Sequence, residues 1–420
     1  MEAPSEIDVP SADCGPTPGH SKATRIAVLS RHNLSSLEPG EKVHVYNKII
    51  ALAKQASVIL FTPYWYASRR MQSQMKVIQV SRPGLPFFLV LPLVLFVHRS
   101  DYDCIYSRDI LLVALATPMK ALGKSLIVEL NGIPSLEAES EREARKVRQP
   151  KLTPLICGLI QMTEAFAIRC ADLVLAVTQK IKTVCVRNYR ADPRRVAVLP
   201  NMVDTTVFRS IANEREEIRR GFGIGDEMVV LYVSSFSARW RRSENLFQIA
   251  HSIQRKRSDV VFLTVGPKPT FEGVKMKIGA ETSNRILFAG AVDPRLVPAF
   301  FSAADIYVHD VIRNAGAQAK LIEREGLCPT KILESMSCSR PVIAPKESEL
   351  ESMLRRSNGG FCAASMEEVE TFIEKFADSP NLVKSMGTDA RRYVELNHDA
   401  TRLTKSKVEL IGRIVSSRVN

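Results

Sequence analysis

Cysteine is sparse and scattered. The eight cysteines stand at positions 14, 104, 157, 170, 185, 328, 338 and 362, with no C-x-x-C pair and no cluster. That spacing excludes a zinc site and a disulfide framework, and is read as reduced thiols in a cytosolic protein. Long apolar runs are missing too. LPFFLVLPLVLFV over 85–97 has thirteen apolar residues interrupted by Pro86 and Pro92, whereas a helix that crosses a bilayer needs about 20. The first 22 residues hold Pro, Ser, Gly and acidic residues without an apolar core, so no signal peptide is expected and 1–23 is read as a disordered tail. No short-period repeat is visible, which excludes a solenoid. Acidic residues are in deficit, 45 against 58 Lys and Arg, for a net charge of +13. Residues 1–210 carry 27 Lys and Arg against 18 Asp and Glu, so +9 of the +13 sits there. A basic surface of this kind either meets phosphates or simply keeps the protein soluble.

The chain has 420 residues, 45% hydrophobic and 25% charged, an ordinary globular composition too long for a single core. RIAVLS (25–30) is an apolar run of strand length. A helical pattern follows in EKVHVYNKIIALAKQ, with Val43, Val45, Ile49, Ile50 and Leu52 as its apolar members, and then the buried-strand run SVILFT. Strand, helix and strand in this order make a βαβ unit and hence a parallel sheet. Further strands are expected in 75–80, 103–109, 124–132, 172–178 and 195–204. A second set occupies 228–235, 259–266, 284–290, 305–310 and 340–345. Two successive parallel α/β domains follow, joined by a charged, Gly-containing linker over 209–226. The 85–97 stretch, flanked by Arg82 and by His98 and Arg99, is either a buried helix or an interfacial membrane contact.

GLCPTKILESMSCSRPVIAP over 326–345 concentrates the chemistry. Pro329 suits the first turn of a helix, where a missing N–H costs nothing. At about 100° per residue, Ile332, Leu333 and Met336 share one arc, expected to be buried. Lys331, Glu334, Ser335 and Cys338 share the opposite arc, expected to face away from the core. The helix should start where a loop leaves the carboxyl end of strand 305–310, the edge at which open parallel sheets bind ligands. A helix start and a lysine there suit a phosphate, and a carboxylate one turn in suits a sugar diol, so the combination fits a nucleotide. The plainer alternative is a surface Lys–Glu pair at i, i+3.

PTKILESMSCSRPVIAP resembles the donor-site signature of GT-B glycosyltransferases of family 4 (group 1), in its P-T-K-x-x-E variant. Other pieces agree in the same order. ADLVLAVTQKI and ADPRRVAVLPNMVDTTVF are similar to the end of that family's first domain. VVLYVSSFSARW, FLTVGPKP and ILFAGAVDPRLVPAFFSAADIYVHD resemble successive parts of its nucleotide-binding domain. The resemblance implies an α/β, GT-B fold: two Rossmann-like doubly wound parallel-sheet domains facing a cleft. The acceptor-binding domain would cover 24–208 and the nucleotide-sugar domain 227–400. Residues 401–420 would form a C-terminal helix, with a crossing back to the first domain as one placement.

The resemblance also implies roles. Glu334 would hold the ribose of the donor, and Pro329, Thr330 and Lys331 at the helix start would hold its diphosphate. In the loop SSFSARWRRS, Ser234 stands where Gly is usual and Ser235 where Arg is common; Arg241 matches the usual Lys, with Arg239 as a substitute. The commoner family pattern has two glutamates eight positions apart. Eight before Glu334 is Gly326, so Glu325 becomes the candidate for the first, catalytic carboxylate, unless this variant does without it. VELNG occupies the place of a loop facing the cleft, making Asn131 a catalytic candidate and Glu129 an acceptor-side one. Turn formation is their alternative reading. Arg108 either faces the acceptor or pairs with Asp109. The implied reaction is transfer of a sugar from a UDP- or GDP-type nucleotide-diphosphate donor to a lipid-linked, glycan or other acceptor, with retention. It needs no cofactor and no metal if Lys331 and Arg241 stabilise the leaving diphosphate. No nucleic-acid partner is expected. The location implied is cytoplasmic, with peripheral contact to the inner face of the membrane through 85–97 and the basic first domain. Two other readings stand beside it: a catalytically degenerate GT-B protein that binds nucleotide or polyanion, and a sugar-nucleotide 2-epimerase.

Overall fold

The computed structural model describes residues 24–31, 41–63, 73–80, 86–145, 153–234, 243–266, 286–309, 321, 323–326 and 328–419. The chain divides into two compact units. One runs to Pro200 and regains the chain at Thr401; the other is Asn201–Ala400.

The first unit is built on seven strands: β1 (Arg25–Leu29), β2 (Ser57–Thr62), β3 (Lys76–Gln79), β4 (Cys104–Ser107), β5 (Ser125–Leu130), β6 (Leu173–Ala176) and β7 (Val196–Val198). All pair in parallel in the order β3-β2-β1-β4-β5-β6-β7. Ile26 stands opposite Val58 on one side and Cys104 on the other, so the order reverses between β1 and β4. The helix Glu41–Ala53 turns Val45, Ile49 and Leu52 inward. The stretch at 85–97 forms the helix Phe87–Val97 and is only half buried: Phe87, Leu91 and Leu95 enter the core, while Leu89 and Leu93 are 77% and 64% exposed. The long helix Ala400–Val419 returns to this unit. There Gln55 donates to the Thr401 carbonyl, and Arg418 donates to the Lys124 carbonyl at 2.6 Å and to Asp172 at 3.1 Å.

The second unit has six parallel strands: β8 (Met228–Val233), β9 (Val260–Val265), β10 (Ile286–Gly290), β11 (Ile306–Val308), β12 (Val342–Pro345) and β13 (Gly360–Ala363), in the order β10-β9-β8-β11-β12-β13. Alternate residues face opposite sides, as the pleat requires. Val229, Leu231 and Val233 join one core cluster, and Val230 and Tyr232 join the other. Burial on both faces is what makes these strands nearly continuous apolar runs. The strand β13 has no counterpart among the expected ones, because Gly359-Gly360 reads as a turn. Here glycine serves close approach: a Cβ on Gly360 would lie 1.9 Å from the Val342 carbonyl oxygen. The seven described cysteines form no disulfide.

Candidate functional site

In the second unit the strand order reverses between β8 and β11, so the loops leaving these two strands open over one point of the carboxyl edge. The loop after β8 carries Ser235, Arg239 and Arg241, which lie outside the described residues. The chain after β11 reaches the helix Thr330–Ser337, with Pro329, which has no side-chain cap to offer, at its N-cap (φ −70°). Asn201 Nδ2 donates to the Cys328 carbonyl at 2.8 Å and fastens the approach to the helix. The positively polarised helix start suits an anion.

Lys331 Nζ donates to Glu334 Oε2 at 2.7 Å. The ammonium is part exposed, whereas Glu334 is only 5% exposed. Burial pushes the Glu334 carboxyl up, while the charge and hydrogen bond of Lys331 pull it down, and burial prevails. A point charge at the rim and a buried carboxylate one turn inside give two chemically distinct contacts. The first suits a phosphate, and the second accepts hydrogen bonds from neutral hydroxyls.

The expected outward arc is corrected. Glu334, Ser335 and Cys338 are buried, and so is every residue from Ile332 to Ser337. The helix Pro380–Asn397 packs on the helix Thr330–Ser337, and Gly387 permits that approach, since a Cβ there would sit 2.2 Å from the Ser339 carbonyl oxygen. Ser335 and Ser337 are buried because their hydroxyls donate to the carbonyls of Arg340 and Phe208. Glu325 is buried as well, and Gly326 after it takes φ +69°. A Cβ on Gly326 would meet the Glu349 carboxylate at 2.7 Å, so Glu349 rests against the turn that carries Glu325. His309 follows β11, buried, with Nδ1 2.9 Å from the Tyr307 hydroxyl. The sequence offers no reason to single it out.

The first unit holds a second cluster, at the carboxyl ends of β4 and β5. Glu129 is 2% exposed. Its Oε1 accepts from Lys48 Nζ at 2.6 Å, and its Oε2 accepts from Lys407 Nζ at 2.5 Å and from the Tyr106 hydroxyl at 2.7 Å. Lys48 also donates to Asn131 Oδ1 at 3.2 Å. Arg108 Nε lies 3.6 Å from Glu129 Oε1, beyond hydrogen-bond length. Burial alone would raise the Glu129 carboxyl, but Lys407, Lys48 and Arg108 outweigh it and hold it well below the carboxylate range. Burial brings Lys48 down to about 8 against the pull of Glu129, with Arg108 and Lys407 pushing the same way. Glu129 is therefore spent on lysines and a tyrosine rather than presented at a turn. Asp109, offered as the partner of Arg108, pairs with Arg31 at 2.5 Å instead. Lys48, Tyr106 and Lys407 are residues that sequence reasoning missed. Their signal was available: Lys48 lies on the stripe of Val45, Ile49 and Leu52, and Lys407 stands midway between the buried Leu403 and Ile411.

A D-x-D tripeptide occurs at Asp101–Asp103. Asp101 pairs with Lys76 and His98, and Asp103 with Arg25.

Two parallel doubly wound units, the second with a lysine and a buried carboxylate near its strand-order reversal, form an architecture that takes ligands at the carboxyl edges of its sheets. The comparisons narrow it. The model of the family described as Glycosyltransferase Family 4 matches residues 40–207, and that of Glycosyl transferases group 1 matches 227–378. The chain belongs to the GT-B glycosyltransferases of family 4, group 1. Among curated relatives, an uncharacterized glycosyltransferase of Methanocaldococcus jannaschii is 23% identical over 249 residues, covering 59% of each chain. The alpha-D-kanosaminyltransferase of Streptomyces kanamyceticus is 22% identical over 276 residues, covering 64% of this chain and 66% of its own. The matches thus span under two thirds of these relatives' lengths. Among solved structures, sucrose-phosphate synthase from Thermosynechococcus elongatus superposes with a TM-score of 0.69 at 17% identity, covering 94% of this chain and all of the other. Anabaena HepE in complex with UDP gives 0.69 at 16% identity, covering 93% and all of its chain. At such identity these structures establish the shared fold.

Proposed function

We propose that this protein is a retaining glycosyltransferase that moves a sugar from a UDP- or GDP-type nucleotide diphosphate to a lipid-linked or glycan acceptor at the cytoplasmic face of a membrane. The observation that carries the reading is the Lys331–Glu334 pair at the strand-order reversal of the second unit. Glu334 takes the ribose hydroxyls, and Pro329, Thr330 and Lys331 take the diphosphate, joined by Ser235, Arg239 and Arg241 from the loop after β8. As the bond from the anomeric carbon to the diphosphate lengthens, charge builds on the leaving oxygen while the sugar becomes oxocarbenium-like. Fixed cations and N–H dipoles at that phosphate lower the barrier. The departing oxygen accepts the acceptor's proton, with Glu325 of the second unit as the carboxylate at the reacting sugar. The cations of this scheme are side chains, so no metal is assigned a step.

Thermal unfolding with UDP-, GDP-, ADP- and TDP-sugars tests this, in EDTA and then in Mg²⁺. One nucleotide is expected to raise Tm by about 5 °C at roughly 100 times its Kd, and EDTA is expected to leave the shift unchanged. A shift that vanishes in EDTA overturns the metal-free scheme. No shift from any nucleotide favours the degenerate scaffold, and turnover of the nucleotide sugar without acceptor favours the 2-epimerase.

A separate observation favours the lipid-linked acceptor. The helix Ile110–Ala116 packs against both Phe87–Val97 and Thr153–Cys170. Leu89, Leu93 and Phe96 of the first, Leu111 of the middle and Leu159 and Met162 of the last are exposed. Arg99 covers the Phe96 ring at 4.4 Å. Exposed apolar side chains with an arginine at their edge suit an anionic lipid interface. Among the described residues no helix is long and apolar enough to cross a membrane, so the contact assigned is peripheral. Leu89→Ser with Leu93→Ser is expected to lower flotation with phosphatidylglycerol vesicles about tenfold or more; unchanged flotation removes the membrane from the reading.

A further inference from the structure

The chain passes between the two units twice, at Pro200–Asn201 and at Ala400–Thr401, and the two ends of the second unit are tied to each other. The Val203 N–H donates to the His398 carbonyl and the Ala400 N–H to the Val203 carbonyl, each at 2.9 Å, so that Val203 forms a parallel bridge with Asp399. Thr205 Oγ1 adds a bond to Asp399 Oδ2 at 2.6 Å. A further link runs through side chains. His398 Nδ1 lies 2.9 Å from the Asn201 carbonyl oxygen; a carbonyl only accepts, so Nδ1 carries the hydrogen. His398 is buried, its Nε2 is shielded without a partner among the described residues, and burial pushes the imidazole down to about 4. The ring is therefore neutral near pH 7, and its one bond goes to Asn201.

The same Asn201 gives its side-chain amide to the Cys328 carbonyl, directly ahead of Pro329 and the helix Thr330–Ser337. The far end of that helix is held too, since Arg391 donates to the carbonyls of Ser337, Phe208 and Thr205. Arg391 belongs to the helix Pro380–Asn397, whose C-cap is His398. Val203, Ile332, Leu333, Met336, Tyr393 and Val394 share one core cluster, so the three segments are packed together as well as bonded. Segments that share both bonds and core open as one cooperative unit.

We infer that Asn201 and His398 form a clasp through which the start of the helix Thr330–Ser337 and both chain crossings open and close together. A ligand seated on the helix start then also holds the two ends of the unit closed. That consequence rests on the glycosyltransferase reading; the clasp does not.

Hydrogen exchange of the full chain tests this at four amides. Val203 and Ala400 report on the crossings, and Ile332 and Leu333, which donate to the Pro329 carbonyl, report on the helix start. In the unmodified protein the four are expected to share one protection factor, lower than that of the β9 amides, because the clasped segments open before the whole unit unfolds. Asn201→Leu keeps the size of the side chain and removes the donor to Cys328. His398→Phe keeps a ring and removes the donor to Asn201. Each is expected to lower all four protection factors together, about three- to tenfold, as the loss of one net hydrogen bond does. The inference is overturned if helix start and crossings differ in protection in the unmodified chain, if all four match β9, or if either variant speeds exchange at one place alone. Should one variant not fold, the other and the unmodified chain decide. The four amides are then followed with UDP and with GDP. The nucleotide that raises Tm is expected to slow exchange at Val203 and Ala400 as well as at Ile332 and Leu333. Protection of the helix start alone overturns the linkage and leaves the donor site standing. Binding by neither nucleotide removes the donor reading, and the clasp then stands or falls on the four protection factors of the free chain.

Discussion

Glu334→Gln is expected to weaken binding of the donor nucleotide by about a hundredfold or more, read by calorimetry with UDP and GDP. A carboxylate that accepts from two ribose hydroxyls makes two charge-assisted hydrogen bonds, each contributing about 1.5–3 kcal/mol. The amide keeps the shape and one acceptor oxygen but loses the charge. The direction of the stability change distinguishes a binding residue from a structural one. Burial raises the Glu334 carboxyl above its ordinary value, so the charged form is the disfavoured one in the folded unit. Its cost is present above the folded pKa and disappears as pH falls below the unfolded value. Removing the charge is therefore expected to hold or raise Tm at neutral pH, while Lys331 remains part exposed to water. Donor affinity of the unmodified protein should fall as pH drops through the raised pKa, because a protonated carboxyl loses an acceptor. Nucleotide affinity that is indifferent both to pH in that range and to the substitution removes Glu334 from the donor site.

Glu129→Gln is expected to act in the opposite way, by destabilising the first unit about 3–5 kcal/mol, the range for breaking a buried ion pair. The lysines and Arg108 then lose the carboxylate they share, and Tyr106, Asn131 and the new amide bring no negative charge in its place. For a unit of this size the loss corresponds to roughly 10 °C in Tm. The glutamate's pKa lies well below its ordinary value, so its stabilisation is present above the unfolded carboxyl pKa and is lost as pH falls through the folded one. Lys48 carries the complementary dependence. Its pKa is lowered to about 8 from 10.5, so its charged form costs stability below about 8, and that cost is relieved as pH rises from there to the unfolded value. The Gln variant should consequently recover part of its deficit on the alkaline side. A Tm change below about 2 °C at neutral pH would show that the cluster contributes little.

The strands were readable because both faces of each sheet are covered, which turns burial into uninterrupted apolar runs. β13 escaped because its pairing depends on a glycine lying against the Val342 carbonyl, and glycine pairs speak for turns in any local reading. The helix Thr330–Ser337 was placed correctly, and its buried arc was right. Its other arc was not, because eight residues with neighbours on every side show no polar stripe. At the site, Lys331 and Glu334 are three residues apart, so their pairing is local and legible. The lysine partners of Glu129 lie 81 and 278 positions away, and no spacing rule connects them. What the sequence does contain is a lysine on each of two apolar stripes, a pattern that demands a buried carboxylate somewhere. Ser235, Arg239 and Arg241 remain readings from the sequence, outside the described residues.

Lys407 also sets the order in which the chain can finish folding. The first unit receives its last helix only after Asn201–Ala400 has been made. At about 5–20 residues per second of synthesis, this is a delay of roughly 10–40 s. During that interval the nascent first unit holds Glu129 and Lys48 without Lys407, and lacks the helix that joins Gln55, Lys124 and Asp172. The unit that holds Glu129 is thus completed only once the helix Ala400–Val419 has been made, and until then its carboxylate lacks one of its two lysines.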